Sequence, residues 1–506
     1  MDLRRWLYRG GGRLCSPRRG KSGAGTPRCA DSPHAPYGPP RVAGASLQPA
    51  CLSAPVAAQP TGRERMSNLP QDFIDRMAAQ LGDELPAFLR TYEEPYQRGV
   101  RLNPMKPVAA DFLPEGLLEA VPWEPTGHYL SMDSKAGADV LHEAGAWYLQ
   151  EPSAMIPAAV LNAKPGERIL DLCAAPGGKS TQSALRMAGQ GTIVCNEPIR
   201  DRAKILSRNV ERMGIPNAIV VSAWPEDLAK VWPGAFDAIQ CDAPCSGEGM
   251  FRRHPETRDE WNAESPAGCA KRQGDILDSA AVMLRPGGRL VYSTCTLNQI
   301  ENEGVVEAFL HRHDDFILEA FQLPGLCAST GMLTIYPHRV KGEGHFVALL
   351  RRKGGGTAVW KTEVPKACVP DKPAMKALQD FLPGAQANLL FGGELRYCPD
   401  FPDLSKARGV SVLRSGLHLG TVKGREPRGR MVFIPDHAWA LCNTSPDVPR
   451  VHLTEEDARL YQNGQVIPVD ERVKGWVLAC FAGIPLGWGK VSDGMMKNHY
   501  PKGLRR

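Results

Sequence analysis

Short apolar runs alternate with amphipathic segments between residues 156 and 352, and this alternation restricts the fold more than any other feature. It predicts an open α/β sheet with helices packed against its strands. The predicted strands are RILDLCA (168–174), TIVCNE (192–197), AIVVSA (218–223), FDAIQCDA (236–243), GRLVYSTC (288–295) and HFVALLRR (345–352). The last run follows a long irregular segment, so we expect it to join the sheet as an antiparallel strand.

The motif DLCAAPGGKST, residues 171–181, leaves the first predicted strand, turns on small residues and opens a helix. Small residues let a backbone approach a ligand closely, and a helix N-terminus favours a carboxylate or phosphate. The glycines match neither a GxxxxGK[ST] loop nor a GxGxxG turn. Glu197 closes the second strand, where it can accept hydrogen bonds from a ribose. These features predict a nucleotide or adenosyl ligand.

Two more motifs, CDAPCSGEGMFRR (241–253) and YSTCT (292–296), close the fourth and fifth predicted strands. Ligands of open α/β sheets bind outside the carboxyl ends of the strands, so these motifs should lie beside the first one. They supply the carboxyl group of Asp242 and the thiols of Cys245 and Cys295. Arg252 and Arg253 follow and could hold phosphates.

One carboxyl and two thiols suit methylation at carbon-5 of cytosine. This carbon is a weak nucleophile until a thiolate adds to carbon-6 and converts the ring into an enamine-like species. A carboxyl near ring nitrogen-3 stabilises the charge that develops, and a second group helps to release the first thiol. On this chemistry alone, either cysteine could be the nucleophile.

The motifs DLCAAPGGKS, CDAPCSGEGMFRR and STCTLNQIENEGVV resemble the Sun family of RNA cytosine-5 methyltransferases in order and spacing. RGVRLNP, EAGAWYLQEPSAM and the terminal PLGWGKVSDGMMKNHYPKGLR are similar to its bacterial 16S ribosomal RNA methyltransferase F branch. The resemblance spans about residues 68–506. It implies a Rossmann-like class I methyltransferase sheet with a small N-terminal domain and a C-terminal PUA-like β-rich RNA-binding module.

The resemblance also implies the cofactor, the substrate and the roles of residues. We expect S-adenosylmethionine as cofactor and 16S rRNA, in the small ribosomal subunit or its precursor, as partner. Cys295 would be the nucleophile, Cys245 would assist release of the product, and Asp242 would contact the base near the cofactor methyl. The cofactor loop would comprise Cys173, Ala174, Ala175, Pro176, Gly177, Gly178 and Lys179, and Glu197 would bind the ribose.

The segment after the third strand departs from the family pattern. Family members usually carry a polar or acidic residue there for the adenine amino group, whereas this chain has Ser222-Ala223-Trp224-Pro225-Glu226. The adenine contact could fall to the backbone, to Ser222 or to Asp227.

Composition changes along the chain predict five segments. Residues 1–65 carry eleven Lys and Arg against three acidic residues and have no apolar periodicity, so we expect a disordered basic leader. It could be a transit peptide, a basic RNA-binding tail, or a stretch upstream of a true start at Met66. We assign 66–155 to an N-terminal domain, 156–352 to the methyltransferase domain, 353–429 to a connecting domain and 430–506 to the PUA-like module. Within the last, Lys490, Lys497, His499, Tyr500, Lys502, Arg505 and Arg506 would contact RNA.

Other classes of protein fit less well. An oxidoreductase would need a GxGxxG turn, a vestigial assembly factor would have lost Cys295, Asp242 or Lys179, and an amino-group methylase would need no thiol. The RNA-type module disfavours DNA as the substrate. The fourteen scattered cysteines include no CxxC pair, and we expect no metal, no membrane contact and a cytoplasmic location.

Overall fold

All six strands predicted between residues 168 and 352 are present in the computed structural model, which describes residues 69–360, 362, 364–402, 407–425, 431–442 and 445–505. The leader predicted over residues 1–65 lies outside the described residues. No helix in the described part of the chain is long and apolar enough to cross a membrane.

Residues 69–155 form a helical hairpin followed by a small antiparallel sheet. The helices are α1 (Gln71–Leu81), α2 (Leu85–Arg90) and α3 (Val140–Glu143). The strands β1 (Arg98–Leu102), β2 (Leu117–Ala120), β3 (Gly127–Leu130) and β4 (Trp147–Leu149) lie in the order β2-β3-β1-β4. On α1, the apolar residues Phe73, Met77 and Leu81 recur at helical spacing, and all three are buried.

The central region carries the predicted alternation of strands and helices. Its helices are α4 (Ile156–Leu161), α5 (Gly178–Arg186), α6 (Arg200–Arg212), α7 (Pro225–Val231), α8 (Thr257–Glu260), α9 (Ser265–Met283) and α10 (Glu303–Arg312). Its strands are β5 (Arg168–Asp171), β6 (Thr192–Asn196), β7 (Ala218–Ser222), β8 (Phe236–Asp242), β9 (Leu284–Thr294), β10 (Phe316–Leu318), β11 (Phe321–Leu323), β12 (Leu326–Ala328), β13 (Met332–Ile335) and β14 (His345–Arg352).

The remaining elements are mostly short antiparallel strands. The helices are α11 (Lys372–Phe381), α12 (His437–Cys442) and α13 (Glu455–Gln462). The strands are β15 (Leu389–Phe391), β16 (Glu394–Tyr397), β17 (Ser411–Ser415), β18 (Leu417–Arg425), β19 (Met431–Pro435), β20 (Arg450–His452), β21 (Ile467–Pro468), β22 (Gly475–Phe481), β23 (Ile484–Ser492) and β24 (Met495–Asn498).

The central sheet has the order β10-β14-β9-β8-β5-β6-β7-β17, with β13 also paired to β14. Strands β5 to β9 run parallel, and β14 pairs antiparallel with β9, which confirms the prediction for the last strand. The strand order reverses at β5, because β6 and β8 lie on either side of it. Ligands of such sheets bind at this reversal, outside the carboxyl ends of the strands.

Both faces of the central sheet are covered, which explains its apolar strands. All five residues of β6 and of β7 are buried, as expected for parallel strands between two helical layers. Helix α6 contributes Leu206 and Val210 to one of the cores and stops before Gly214, whose φ of 70° favours glycine.

The predicted domain boundaries remain predictions, and strand pairing crosses two of them. β17, from the predicted connecting domain, adds an antiparallel strand to the edge of the central sheet beside β7. The sheet β15-β16-β18-β19 extends across residue 430, because β18 pairs with β19. Local periodicity could not show either pairing, since both join segments from different predicted domains.

The C-terminal module shares a hydrophobic core with the N-terminal sheet. Val100 and Trp147 of that sheet pack in one buried cluster with Tyr461, Val477 and other residues of the C-terminal module. The side-chain amide of Gln462 also donates to the carbonyl of Val140 at 3.1 Å. The N-terminal sheet and the C-terminal module are therefore joined by a continuous core.

Lys106 has a buried amino group that ties the N-terminal domain to the end of α6. Its Nζ donates to the carbonyls of Ala144 at 2.6 Å and Arg212 at 2.9 Å. Burial lowers the pKa of Lys106 to about 7, because the ammonium form loses its hydration.

We expect Lys106 to make the protein more stable as the pH rises from about 7 toward the ordinary lysine pKa. In that window the unfolded chain binds a proton that the folded chain does not, so the free energy of unfolding rises, by at most about 1.4 kcal/mol per pH unit. Denaturant titrations of wild type and Lys106→Met at pH 7, 8 and 9 test this. The wild type should gain stability relative to the variant, and parallel pH profiles would contradict the assignment.

Candidate functional site

The three sequence motifs converge at one edge of the central sheet. The loop after β5 carries residues 173–179, β8 ends at Asp242, and Cys295 directly follows β9. Because β5, β8 and β9 are parallel neighbours, their carboxyl ends lie side by side. The structure thus brings together the acid, both thiols and the lysine that the sequence singled out.

Asp242 is held from three sides. Lys179 Nζ lies 2.8 Å from its Oδ2, and Ser293 Oγ donates to its Oδ1 at 2.8 Å. His345 Nε2 lies 3.5 Å from the same Oδ1. The Asp242 side chain keeps 32% of its surface exposed, so a ligand can still reach it.

The surroundings of Asp242 favour its ionised form. Partial burial alone would raise the pKa of this carboxyl, but Lys179 and His345 outweigh it and hold the pKa well below its usual range. In turn, burial would lower the pKa of Lys179, and Asp242 raises it above the ordinary value. Asp242 and Lys179 therefore form a carboxylate–ammonium pair at neutral pH.

Cys245 and Cys295 are in contact, with 3.2 Å between their Sγ atoms. The neighbouring sulfur of Cys295, together with burial, raises the pKa of the Cys245 thiol well above its usual value. Two sulfurs this close resist carrying two negative charges, so one of them stays a thiol when the other ionises. The pair thus offers one nucleophile and one proton carrier.

The loop over residues 173–178 is fixed by neighbouring strands and helices. The amide of Ala174 donates to the carbonyl of Asn196 at 2.8 Å, and Asn209 donates to the carbonyl of Pro176 at 2.8 Å. The Ala175–Pro176 peptide is cis. Gly177, with a φ of 114°, precedes α5 in a conformation that side chains disfavour. The two hydrogen bonds therefore connect the loop to the end of β6 and to α6.

Glu197 lies at the carboxyl end of β6 and is almost fully buried. Its Oε1 accepts a hydrogen bond from the amide of Ile199 at 2.9 Å, and its Oε2 lies 3.5 Å from Arg202. The hydroxyl of Ser222 donates to the carbonyl of Pro198 at 3.1 Å. The hydroxyl hydrogen of Ser222 is therefore already used in a hydrogen bond within the protein. The exposed side chains of Ile199 and Trp224 flank the two strand ends.

Sequence reasoning missed Arg101 and His345. Arg101, on β1, is buried and donates to Gly178 O at 3.0 Å and to Thr181 Oγ1 at 2.8 Å, so it supports the first turn of α5. Its position in the RGVRLNP motif was the only available signal. No local pattern marked His345, because only the antiparallel pairing of β14 with β9 places it near Asp242.

Two predicted RNA contacts are wrong. Arg252 is buried, pairs with Glu343 at 3.0 Å and donates to the carbonyl of Pro95, so it cannot hold a phosphate. Tyr500 is also buried and packs against His437 and Tyr461. Both side chains pack between segments that are distant in the chain. A basic or aromatic sequence pattern does not reveal such packing.

Family comparisons match three separate stretches of the chain. Residues 158–351 match the family described as 16S rRNA methyltransferase RsmB/F. Residues 69–152 match the N-terminal domain of 16S rRNA methyltransferase RsmF, and residues 448–506 match the methyltransferase RsmF PUA domain.

Similar proteins are named ribosomal RNA small subunit methyltransferase F. The protein of Escherichia coli O139:H28 is 33% identical over 469 residues, which cover 86% of this chain and 97% of its own. That of Klebsiella pneumoniae (strain 342) is 33% identical over 470 residues, which cover 86% of this chain and 96% of its own.

Solved structures from Pyrococcus horikoshii share part of this fold. A methyltransferase homolog is 27% identical with a TM-score of 0.50, covering 57% of this chain and 97% of that chain. A structure described as NSun6 with SFG is 21% identical with a TM-score of 0.50, covering 57% of this chain and 100% of that chain.

Proposed function

Because this chain belongs to the ribosomal RNA small subunit methyltransferase F family and is an S-adenosylmethionine-dependent methyltransferase, we propose that it methylates carbon-5 of a cytosine in 16S rRNA. The observation that carries the proposal is the 3.2 Å contact between Cys245 and Cys295 beside an ionised Asp242. A methyltransferase acting on an oxygen or an amino group has no use for this thiol pair.

The residues around the strand ends fit the cofactor. The small side chains of residues 174–178 leave the loop backbone accessible, and the Glu197 carboxylate can accept from the ribose hydroxyls. The exposed Ile199 and Trp224 can cover the two faces of the adenine ring. When bound there, S-adenosylmethionine supplies an electrophilic methyl group and leaves as S-adenosylhomocysteine.

We assign the nucleophile to Cys295. Its thiolate adds to carbon-6 of a flipped-out cytosine, forming a carbon–sulfur bond and making carbon-5 nucleophilic. Cys295 lies in the STCT motif, whose cysteine is the nucleophile in the family that the chain resembles. After carbon-5 takes the methyl group, Cys245, as a thiolate, takes the carbon-5 proton. The electron pair of that carbon–hydrogen bond re-forms the ring double bond, and the bond to Cys295 breaks, which returns Cys295 as a thiolate.

Asp242 and Lys179 act on the base edge as a pair. The ionised Asp242 can accept a hydrogen bond from the 4-amino group, while the Lys179 ammonium offsets the negative charge that moves onto nitrogen-3. Both charges are already aligned at 2.8 Å, so little reorganisation is needed when the base enters.

An aromatic and basic row on the C-terminal module supports RNA as the substrate. Trp476, Lys490 and Lys497 lie directly opposite one another on β22, β23 and β24 and so share one face of the sheet. The His499 ring lies 4.5 Å from the Trp476 ring, and Lys490 Nζ lies 5.7 Å from it. Aromatic rings beside lysines suit stacked bases and phosphates. The small subunit or its precursor, in the cytoplasm, remains the predicted partner.

A covalent trap tests the reaction. Cys245→Ala is incubated with S-adenosylmethionine and small-subunit RNA or subunits, and the products are separated on a denaturing gel. We expect a protein–RNA adduct to accumulate, because Cys295 attacks but is released slowly. The adduct should be absent from Cys245→Ala/Cys295→Ala. If Cys245→Ala forms no adduct while the wild type methylates the RNA, the assigned cysteine chemistry is wrong.

A further inference from the structure

Two buried carboxylates, Glu248 and Glu301, lie between the loops that carry the reactive cysteines. Glu248 follows Cys245 on the first loop and Glu301 follows Cys295 on the second, and neither residue is exposed. Residues 243–247 have no regular secondary structure, so the position of Cys245 depends on side-chain contacts. A buried carboxylate is costly unless it accepts several hydrogen bonds, so its donors indicate what it holds in place.

Glu301 connects the second loop to the first. Its Oε2 accepts from the amide of Ser246 at 2.9 Å and from Gln273 Nε2 at 2.9 Å. Its Oε1 accepts from the Ser246 hydroxyl and from Asn298 Nδ2, the latter at 2.7 Å. Gln273 also donates to the carbonyl of Pro244 at 3.0 Å. The residues on both sides of Cys245 are thus anchored, directly or through Gln273, to Glu301.

Glu248 connects the first loop to the second loop and also to helix α1. Its Oε2 accepts from the amide of Leu297 at 3.2 Å, and its Oε1 accepts from Asn298 Nδ2 at 3.1 Å. Asn298 Nδ2 therefore bridges both carboxylates. The guanidinium of Arg76 on α1 lies 2.5 Å from Glu248 Oε1 and supplies the neutralising charge.

The two loops are also in backbone contact. The amide of Gly249 donates to the carbonyl of Cys295 at 2.8 Å. A Cβ at position 249 would lie 2.8 Å from that same carbonyl oxygen, so only glycine permits this approach. Phe251 and Leu297, one from each loop, pack in a shared core with Phe73 and Met77 of α1. The N-terminal helix therefore covers both loops at once.

We propose that Arg76, Glu248, Asn298, Glu301 and Gln273 form a carboxylate clamp that positions Cys245 against Cys295. These are positioning residues, since they act through the loops and not on the base. The inference rests on the proposed function in giving the two cysteines successive roles. Holding Cys245 in place matters for release of the product, whereas attack and methyl transfer depend on Cys295, Asp242 and the cofactor loop.

Disulfide formation measures the clamp without any catalysis. Diamide oxidises two adjacent thiols: a sulfur–sulfur bond forms, and both protons and two electrons pass to its azo group. In the wild type, the 3.2 Å contact should give rapid Cys245–Cys295 cross-linking, followed by mass spectrometry of the peptides. In Glu301→Gln and Arg76→Ala we expect cross-linking to slow at least about fivefold, because misplacement of one reactive atom reduces the rate strongly.

Arg90→Ala is the matched control, since Arg90 is an exposed arginine on the adjoining helix α2. It should cross-link at the wild-type rate. Arg76 is partly exposed, so its variant should fold even if Glu301→Gln does not, and thermal melting checks both. Wild-type rates in folded Arg76→Ala and Glu301→Gln would overturn the proposal, as would a wild type that does not cross-link.

The trapping assay then separates the clamp from the reaction. With RNA and S-adenosylmethionine, Glu301→Gln should accumulate the covalent adduct while its single-turnover methyl transfer falls less than its steady-state turnover. General destabilisation would lower both rates alike and trap nothing. If Cys245→Ala forms the adduct but Glu301→Gln does not, the clamp proposal fails and the proposed function stands. If Cys245→Ala forms none, the proposed function fails, and cross-linking alone decides the clamp.

Discussion

Replacing Cys295 with serine is expected to reduce methyl transfer by at least about a thousandfold, because loss of a covalent nucleophile usually removes most of the catalysis. A serine hydroxyl does not ionise at neutral pH and adds poorly to carbon-6. Cofactor binding should change little, since Cys295 lies outside residues 173–179 and Glu197. The measurement is incorporation of a labelled methyl group into small-subunit RNA, alongside calorimetric titration with S-adenosylmethionine.

Cys327→Ser is the matched control, because Cys327 is an exposed cysteine on β12 outside the candidate site. It should retain wild-type activity. If Cys295→Ser stays active and Cys245→Ser is the inactive variant, the two cysteine roles are exchanged. Loss of activity together with loss of cofactor binding would point to a structural effect instead.

Deleting residues 448–506, most of the C-terminal module, should destabilise the rest of the protein, in addition to weakening RNA binding. The truncation exposes Val100, Trp147 and the other N-terminal residues of the shared core to water. Each large apolar side chain exposed in this way costs about 1.5–3 kcal/mol, and a domain has only about 5–15 kcal/mol of stability. We expect loss of the cooperative melting transition, measured by calorimetry and near-UV circular dichroism.

Lys490→Ala/Lys497→Ala separates RNA binding from folding. Both lysines are exposed, so the double variant should melt like the wild type. Its RNA affinity should fall, and the slope of log affinity against log salt should decrease by about one for each lost phosphate contact. A truncated protein that melts like the wild type would show that the shared core contributes little. Unchanged RNA binding by the lysine variant would remove the aromatic and basic row from the proposed interface.

The parts of the fold that depend on local pattern were predictable. Continuous apolar runs predicted β5 to β9 and β14, because strands that are buried on both faces are apolar along their length. The small residues at 173–179 predicted the turn. Helix α6 also follows a local pattern, because its apolar residues recur at helical spacing and Gly214 follows its end. Each of these signals lies within a few neighbouring residues, where sequence and conformation are directly linked.

The candidate site was only partly predictable. Parallel strands place their carboxyl ends at one edge, so the approach of Asp242, Cys245 and Cys295 followed from the motifs. Resemblance to a family, and not geometry, distinguished the two thiols at that stage. In the structure the two thiols are in contact, 3.2 Å apart, and the covalent trap is the measurement that separates their roles.

By itself, the sequence determined the type of sheet, the cofactor loop and the group of reactive side chains, because these follow from local periodicity and strand direction. Only the tertiary structure decided that β17 extends the sheet, that the C-terminal module completes the N-terminal core, and that Arg252 pairs with Glu343. It alone placed Arg76 on Glu248. These contacts join residues far apart in the chain. Apolar burial stabilises the shared core, and opposite charges and hydrogen bonds offset the cost of burying the polar partners, and no single segment encodes either effect.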